Sequence, residues 1–271
     1  MPILDKDMRL CISLAGRPSN IGTRFHNFLY DELGLPFVYK AFTTTDIEGA
    51  IRGVRALGIR GCSVSMPFKE AVIPLVDSME PSATAIDSVN TIVNDDGVLT
   101  ASNTDYEAVA RLLAGHAVDP ASSVLLRGSG GMAKAVVAAI RDAGFEDLTV
   151  LARNATTGRA LADRYGASWV PEEADAPPAD LLVNVTPLGM EGPDAERLAF
   201  DPGRVEAASV VFDVVALPSE TPLVRAARAV GVPVITGAEV IALQAARQFE
   251  RYTGVTPTAD QVARASAFSR P

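Results

Sequence analysis

Gly128-Ser129-Gly130-Gly131-Met132-Ala133 follows the apolar run Val124-Leu125-Leu126 and precedes an alanine- and valine-rich run ending at Gly144. That pattern reads as a buried strand, a tight turn and a helix with an apolar stripe through Val136, Val137 and Ile140. The spacing fits G-x-G-x-x-A: one glycine makes the turn, the next admits a pyrophosphate, and a small residue lets the helix pack on the strand. A helix N-terminus then supplies the free N–H groups for the anion. The next expected strand, 148–151, decides which dinucleotide. A site for the unphosphorylated ribose places an acidic residue at its end; here Leu151-Ala152-Arg153-Asn154 stands instead, and Glu146 and Asp147 lie at the wrong end. Arg153 can pair with a 2′-phosphate, and Asn154 and Thr156 can add hydrogen bonds, so NADP(H) is the expected cofactor. The alternative for Arg153 is a solvated surface side chain.

A second signal is scarcity. The chain has four lysines, Lys6, Lys40, Lys69 and Lys134, against 20 arginines. Lys69 follows the expected strand 61–65 through Pro67, so its amine stands at the carboxyl end of a strand, the rim where ligands bind in open α/β sheets. Its alternative is a solvated helix lysine; Lys134 reads as a surface group or a helper for phosphate charge. Carbonyl reduction needs a proton donor and the reverse reaction a base. His26 falls on a helix face and His116 in a helix-ending turn. The residues four beyond the five tyrosines are Gly34, Thr43, Ala110, Trp169 and Thr256, so no Tyr-x-x-x-Lys pair exists. Two histidines and two cysteines, Cys11 and Cys62, make no metal spacing, and the cysteines read as buried thiols. Lysine remains. A carboxylate would keep it charged and oriented, and Asp105 in Asn103-Thr104-Asp105 is the natural partner, or else a helix-capping residue.

The elements that must position these groups are α/β. Strands are expected at 10–14, 37–42 and 61–65, with helices from Thr23 and from Thr45-Asp46 between them. A helix is expected from Pro67 to about Met79, a shorter one after Pro81, and a hairpin with strands 89–93 and 98–102 around Asn94-Asp95-Asp96-Gly97. Further strands are expected at 168–170, 181–185, 210–214 and 233–235, with helices at 237–249 and after Thr258. The expectation is two α/β domains, the first with a mostly parallel sheet, the second of Rossmann type, with C-terminal helices packing back on the first. The boundaries are set at 1–106 for the substrate domain, 107–238 for nucleotide binding and 239–271 for the returning helices.

Composition narrows the partners. The formal charge of −9 disfavours nucleic-acid and anionic membrane surfaces, and 48% hydrophobic content supports a large core. No apolar run approaches membrane-spanning length and Met1-Pro2-Ile3-Leu4-Asp5-Lys6 lacks a signal-peptide pattern, so a cytoplasmic protein, monomer or homodimer, with a small-molecule substrate is expected.

Gly16-Arg17-Pro18, His26-Asn27, Pro67-Phe68-Lys69-Glu70, Val89-Asn90-Thr91, Asn103-Thr104-Asp105, the glycine turn, Asn184-Val185-Thr186-Pro187-Leu188-Gly189-Met190, Asp213 with Thr221-Pro222-Leu223, and Gln244 occur in the order and spacing of the shikimate dehydrogenase family, which this chain resembles from about residue 15 to 250. The resemblance implies reversible NADP-linked reduction of 3-dehydroshikimate to shikimate in a cleft between two α/β domains. It implies Lys69 and Asp105 as the catalytic pair, and Asn90 and Gln244 on substrate hydroxyls. Thr186, Met190, Val214 and Gly237 become cofactor contacts, the last three bordering the nicotinamide.

The departures are local. Where the family has Ser-x-Ser-Pro for the substrate carboxylate, this chain has Ser19-Asn20-Ile21-Gly22-Thr23; Asn-Val-Thr before Pro-Phe-Lys is Ser63-Val64-Ser65; the tyrosine after Asp213 is Ala216, and Met-Leu before the late glutamine is Ala242-Leu243. This pattern looks like the shikimate dehydrogenase-like branch, with Ser19, Thr23, Ser63, Ser65 or Arg24 seating a ring acid such as shikimate or quinate. Two other readings stay open: a non-catalytic NADP(H)-binding regulator, and a related dehydrogenase acting on a folate, which expects a tyrosine–lysine pair that this chain does not offer.

Overall fold

The computed structural model describes residues 4–270; the N-terminal reading at Met1-Pro2-Ile3 lies outside them. The chain divides into two compact units, one formed by residues up to Thr104 together with those from Ala242 on, the other by Asp105–Ile241.

The first unit begins β1 (Arg9–Ala15), α1 (Ile21–Glu32), β2 (Phe37–Thr43), α2 (Ile47–Ala56) and β3 (Gly61–Val64). The βαβ repeats make β1 parallel to both β2 and β3. After β4 (Ser78–Met79) and the short α3 (Pro81–Thr84) come β5 (Thr91–Asp95) and β6 (Val98–Ser102). The sheet runs β2-β1-β3-β5-β6-β4, antiparallel only where β5 meets β3 and β6. Alternation along β1 serves two cores: Ile12 and Leu14 pack with Ile51 and Val54 of α2, while Cys11 packs with Phe25 and Leu29 of α1. Both cysteines are free and buried, and burial pushes the Cys11 thiol up to about 12.

Two local expectations are corrected. Residues 67–79 do not form a helix; turns lead to a 3-10 segment, Ile73–Leu75, and then β4. Pro74 is the physical reason, because it removes an N–H and disfavours α backbone before it. The hairpin begins two residues later than its apolar pattern suggests, since β5 pairs Asp95 with Val98 and leaves only Asp96-Gly97 as the turn. Both turn residues have positive φ, 51° and 92°, as a two-residue hairpin requires.

The second unit runs from α4 (Thr104–Gly115), which starts at the boundary, through β7 (Val124–Arg127), α5 (Gly131–Asp142), β8 (Leu148–Leu151), α6 (Ala155–Tyr165) and β9 (Ser168–Val170). It continues with β10 (Leu181–Asn184), α7 (Pro202–Ala207), β11 (Val210–Asp213), α8 (Pro222–Ala229), β12 (Val234–Thr236) and the start of α9 (Gly237–Thr253). All five strand pairings are parallel and the order is β12-β11-β10-β7-β8-β9, the doubly wound arrangement of a Rossmann fold with its reversal between β10 and β7. Among the described residues no helix is long and apolar enough to cross a membrane.

The rest of α9 and α10 (Ala259–Ser269) belong to the first unit. Ala245, Phe249 and Tyr252 of α9 and Ala265 of α10 complete the α1 core. A Cβ on Gly61 would stand 2.3 Å from Cδ1 of Tyr252, so β3 and α9 meet flush only because residue 61 is glycine. At the centre of this core His26 is fully buried, its ring 4.4 Å from and 8° off the plane of Tyr39. Burial pushes its pKa down to about 3, with the Gln248 amide pulling the other way.

Two outcomes follow for stability. Gly61→Ala lowers the unfolding free energy by about 1–3 kcal/mol through overpacking, measured by denaturant titration. The folded imidazole titrates far below its ordinary 6.5, so its stabilising neutrality is complete above that value and is lost as pH falls toward 3. The slope it adds is up to about 1.4 kcal/mol per pH unit. His26→Phe therefore flattens the loss of stability between about pH 6.5 and 4.5; an unchanged slope contradicts this.

Candidate active site

In the first unit the loop after β3 is fixed on both sides by backbone. Ser65 N–H donates to the Leu14 carbonyl at 3.0 Å and the Met66 carbonyl accepts from Gly16 at 3.0 Å. The Lys69 carbonyl accepts from Val89 N–H at 2.8 Å, and the Asn90 carbonyl accepts from Val64 N–H at 2.8 Å. Lys69 is thus half-buried at the carboxyl end of β3, beside the approach to β5.

Asn90, 2% exposed, is the most heavily engaged side chain there. Its Oδ1 accepts from the Thr91 hydroxyl (2.8 Å), the Thr104 N–H (2.8 Å) and the Thr104 hydroxyl (3.2 Å). With Oδ1 committed, Nδ2 must point outward from these donors, and it donates to Gln244 Oε1 at 3.3 Å. One turn along α9, Gln248 Nε2 donates to Thr91 Oγ1 at 3.0 Å. The structure therefore brings Asn90 and Gln244 together, although 154 residues separate them. The same Thr104 begins α4, whose next residue is Asp105.

The four hydroxyl residues expected near a substrate carboxylate fare differently. Ser63 is half-buried; burial pushes the pKa of the Tyr39 hydroxyl up, with Ser63 and Ser13 pulling the other way. Ser65 and Ser19 are exposed. Ser19 Oγ accepts from Ile21 N–H at 3.4 Å. The Thr23 hydroxyl is buried and has no hydrogen-bond partner. Tyr39 is the residue that sequence reasoning missed. Strand register alone places Ser13 opposite Ser63, and Asn27 anchors α1 by donating to the carbonyls of Thr23 and Tyr39, both at 2.8 Å. Gly22 lies against the same hydroxyl, its added Cβ 3.6 Å away.

In the second unit the glycine turn has the geometry its spacing implies. Gly128 has φ +125°, and a Cβ there would meet Val185 Cγ2 at 2.8 Å, so backbone conformation and close packing both demand glycine. Gly130 caps α5 and Gly131 begins it; a Cβ on either meets nothing within 4 Å, which leaves the mouth of the turn open. Met132 is half-buried, and Ala133 is fully buried where helix meets strand. Ser129 Oγ lies 2.7 Å from Thr157 Oγ1, joining this turn to α6. Asn154 Oδ1 caps α6 by accepting from Thr157 N–H at 3.2 Å, so its carboxamide oxygen already serves the helix. Arg153 beside it is exposed, and no carboxylate ends β8.

A buried polar lock organises the loops after β10 and β11. Asn184 Nδ2 donates to Asp213 Oδ1 (3.0 Å) and to the Leu188 carbonyl (3.2 Å), and its Oδ1 accepts from the Thr186 hydroxyl at 2.6 Å. Asp213 also accepts from the Thr221 hydroxyl (2.6 Å) and Val215 N–H (3.1 Å); burial raises its pKa and these donors oppose the rise. The lock sets Met190, 46% exposed, at the tip of one loop and Val214 at the base of the other. A Cβ on Gly237 would stand 2.3 Å from the Val214 carbonyl oxygen, so the N-terminus of α9 can close on Val214 only through a glycine. Among the described residues no group of three or more His, Cys, Asp or Glu could hold a metal.

Residues 20–92 match the family model of the shikimate dehydrogenase substrate binding domain. The shikimate dehydrogenase-like protein of Haemophilus influenzae is 56% identical over 99% of both chains. Shikimate 5-dehydrogenase of Thermus thermophilus, solved with NADP(H) and shikimate, superposes with a TM-score of 0.87 at 29% identity, covering 97% of this chain and 100% of its own. Quinate dehydrogenase of Corynebacterium glutamicum, solved with NAD, gives 0.88 at 29% identity, covering 96% and 98%. With the glycine turn, the Asn90–Gln244 pair and the Asn184–Asp213 lock in place, the chain belongs to the shikimate dehydrogenase family, in its shikimate dehydrogenase-like branch, and is a dehydrogenase of that type.

Proposed function

We propose that this chain is an NADP-dependent oxidoreductase that interconverts 3-dehydroshikimate and shikimate, or a closely related hydroxylated ring acid, with Lys69 and Asp105 handling the proton. The observation that supports it most is the Asn90 carboxamide: its oxygen is consumed by three donors, so an N–H and the neighbouring Gln244 amide are aimed by construction, in the unit whose β3 rim carries Lys69. Paired amides of fixed polarity suit vicinal ring hydroxyls.

The residues divide the work. In reduction, the Lys69 ammonium donates its proton to the carbonyl oxygen as that oxygen becomes a hydroxyl; in oxidation the neutral amine takes the proton back. Asp105 is assigned to hold the ammonium charged. Asn90 and Gln244 fix the ring hydroxyls, and Ser19, Thr23, Ser63 and Ser65 seat the carboxylate. In the family pattern an asparagine amide stands where this chain has the Ser63 hydroxyl. Here that amide is lost and Ser63 acts on the Tyr39 hydroxyl, so a ring acid with a different substituent pattern fits the reading equally.

The dinucleotide reading rests on the open glycine turn and on charge. Gly128, Ser129, Gly130, Gly131, Met132 and Ala133 would hold the pyrophosphate at the N-terminus of α5. Arg153 and Asn154 would meet the 2′-phosphate, Thr186 would contact the dinucleotide, and Met190, Val214 and Gly237 would border the nicotinamide. A bound nicotinamide supplies transfer of a hydride; the matching proton is left to the protein. Relatives of Oleidesulfovibrio alaskensis and Moorella thermoacetica, 37% and 34% identical, are NADP(+) shikimate dehydrogenases, and the missing carboxylate after β8 agrees with the phosphorylated form.

Initial rates with shikimate and quinate, each with NADP⁺ and NAD⁺, test this reading. Lys69→Ala lowers turnover by about 10²–10⁴-fold while NADPH binding is retained; full turnover in that variant removes the mechanism. Arg153→Ala raises KM for NADP⁺ about tenfold to a hundredfold, the worth of a charge-assisted contact, and changes that for NAD⁺ little.

A further inference from the structure

Arg127 is the last residue of β7, immediately before Gly128 and beside β10, where the strand order reverses. It ends an apolar strand, Val124-Leu125-Leu126, and is itself largely buried, its side chain 19% exposed. A leucine there could pack on Phe200 without the desolvation that a guanidinium suffers. The charge is nevertheless kept, and it lies 5.2 Å from the Phe200 ring centroid.

Its pairing does not cancel it. Arg127 is ion-paired with Glu173, but that carboxylate also accepts from Asp201 N–H at 2.8 Å and lies 3.7 Å from Arg204 Nε. One negative charge is therefore divided between two guanidinium groups. Register pairs Arg127 with Leu151, the last residue of β8, and Arg153 follows two residues later at that strand's exit. Burial holds the Arg127 pKa below its ordinary value; the carboxylates of Glu173 and Glu172 oppose that shift, and the charges of Arg153 and Arg197 add to it.

We propose that Arg127 is a specificity-determining residue for the dinucleotide: from behind Arg153, its charge favours the form that bears a 2′-phosphate. This rests on the dinucleotide reading above and adds a residue to it. Arg127 need not touch the phosphate. A guanidinium held in a poorly screened position acts on a dianion over several ångströms, and it acts far less on the ribose hydroxyl of the unphosphorylated form. A purely structural role, in which Arg127 only ties β7 to the turn around Glu173 and to α7, makes the opposite prediction about charge.

Dissociation constants of NADP⁺ and NAD⁺ for the full chain distinguish the two. They are readable from the fluorescence of Trp169, the only tryptophan, whose indole N–H donates to Ala152 next to Arg153 at 3.1 Å. Arg127→Met keeps the apolar stem and removes the charge; it weakens NADP⁺ about tenfold more than NAD⁺. Arg127→Lys keeps the charge with poorer fork geometry and retains the preference. Glu173→Gln breaks the same ion pair yet leaves more positive charge, and it increases the preference for NADP⁺. Added salt narrows the gap in the parent. Equal weakening of both dinucleotides in Arg127→Met, or a shift of preference in the same direction in Arg127→Met and Glu173→Gln, overturns the proposal and leaves a strut. Failure of the parent to bind either dinucleotide overturns the reading of the glycine turn, and this proposal with it.

Discussion

Three donors converge on Asn90 Oδ1, and that convergence holds together the part of the first unit where β5, β6 and α4 meet. The carboxamide is buried, so leaving its oxygen or the Thr104 N–H unpaired would cost about 1–3 kcal/mol each. That penalty fixes where the chain leaves β6, where α4 begins, and which way the Asn90 amide faces Gln244. Asn90 N–H donates to the Ser102 carbonyl at 3.2 Å and its own carbonyl accepts from β3, so backbone and side chain agree on one position. Lys69 is then held by its carbonyl to Val89, the residue before this node.

The second unit solves its own problem in the same way. Asn184, at the end of β10, accepts from Thr186 through Oδ1 and donates through Nδ2 to Asp213, so another buried carboxamide with both ends committed fixes the loops at a carboxyl rim. Asp213 accepts three hydrogen bonds where solvent cannot, and Gly237 lets α9 approach Val214 at a distance no other residue permits. Polar groups set the loops that apolar packing alone would leave free. The cores beneath them, rich in valine, leucine and isoleucine, hold the strands but do not specify where their exits point.

Much of this was legible in the sequence because it depends on local chemistry. A glycine turn needs positive φ and close approach, and residues 128–133 announce both; Lys69 is conspicuous in an arginine-rich chain. What was not legible depends on pairing across distance. Tyr39 meets Ser63 only once β1 lies between their strands, and Asn90 meets Gln244 only after α9 returns. Residues 67–79 have helical apolar spacing that Pro74 overrules, and the hairpin's apolar residues do not reveal that Asp95 still pairs. Arg127 reads as the end of an apolar run until Glu173 and Phe200 are brought beside it. That the Asn154 carboxamide oxygen also caps α6 shows only once the helix is in place.

On the proposed function, a hydride passes between a ring carbinol carbon and a nicotinamide while Lys69 carries the proton. Following deuterium tests it most directly: shikimate labelled at the carbinol carbon is incubated with the protein and NADP⁺, and the dinucleotide is examined by NMR. Label is expected at C4 of the reduced nicotinamide, formed by the parent and about 10²–10⁴-fold more slowly by Lys69→Ala. Reduced dinucleotide that carries no label, or label transfer that persists undiminished without Lys69, would contradict it.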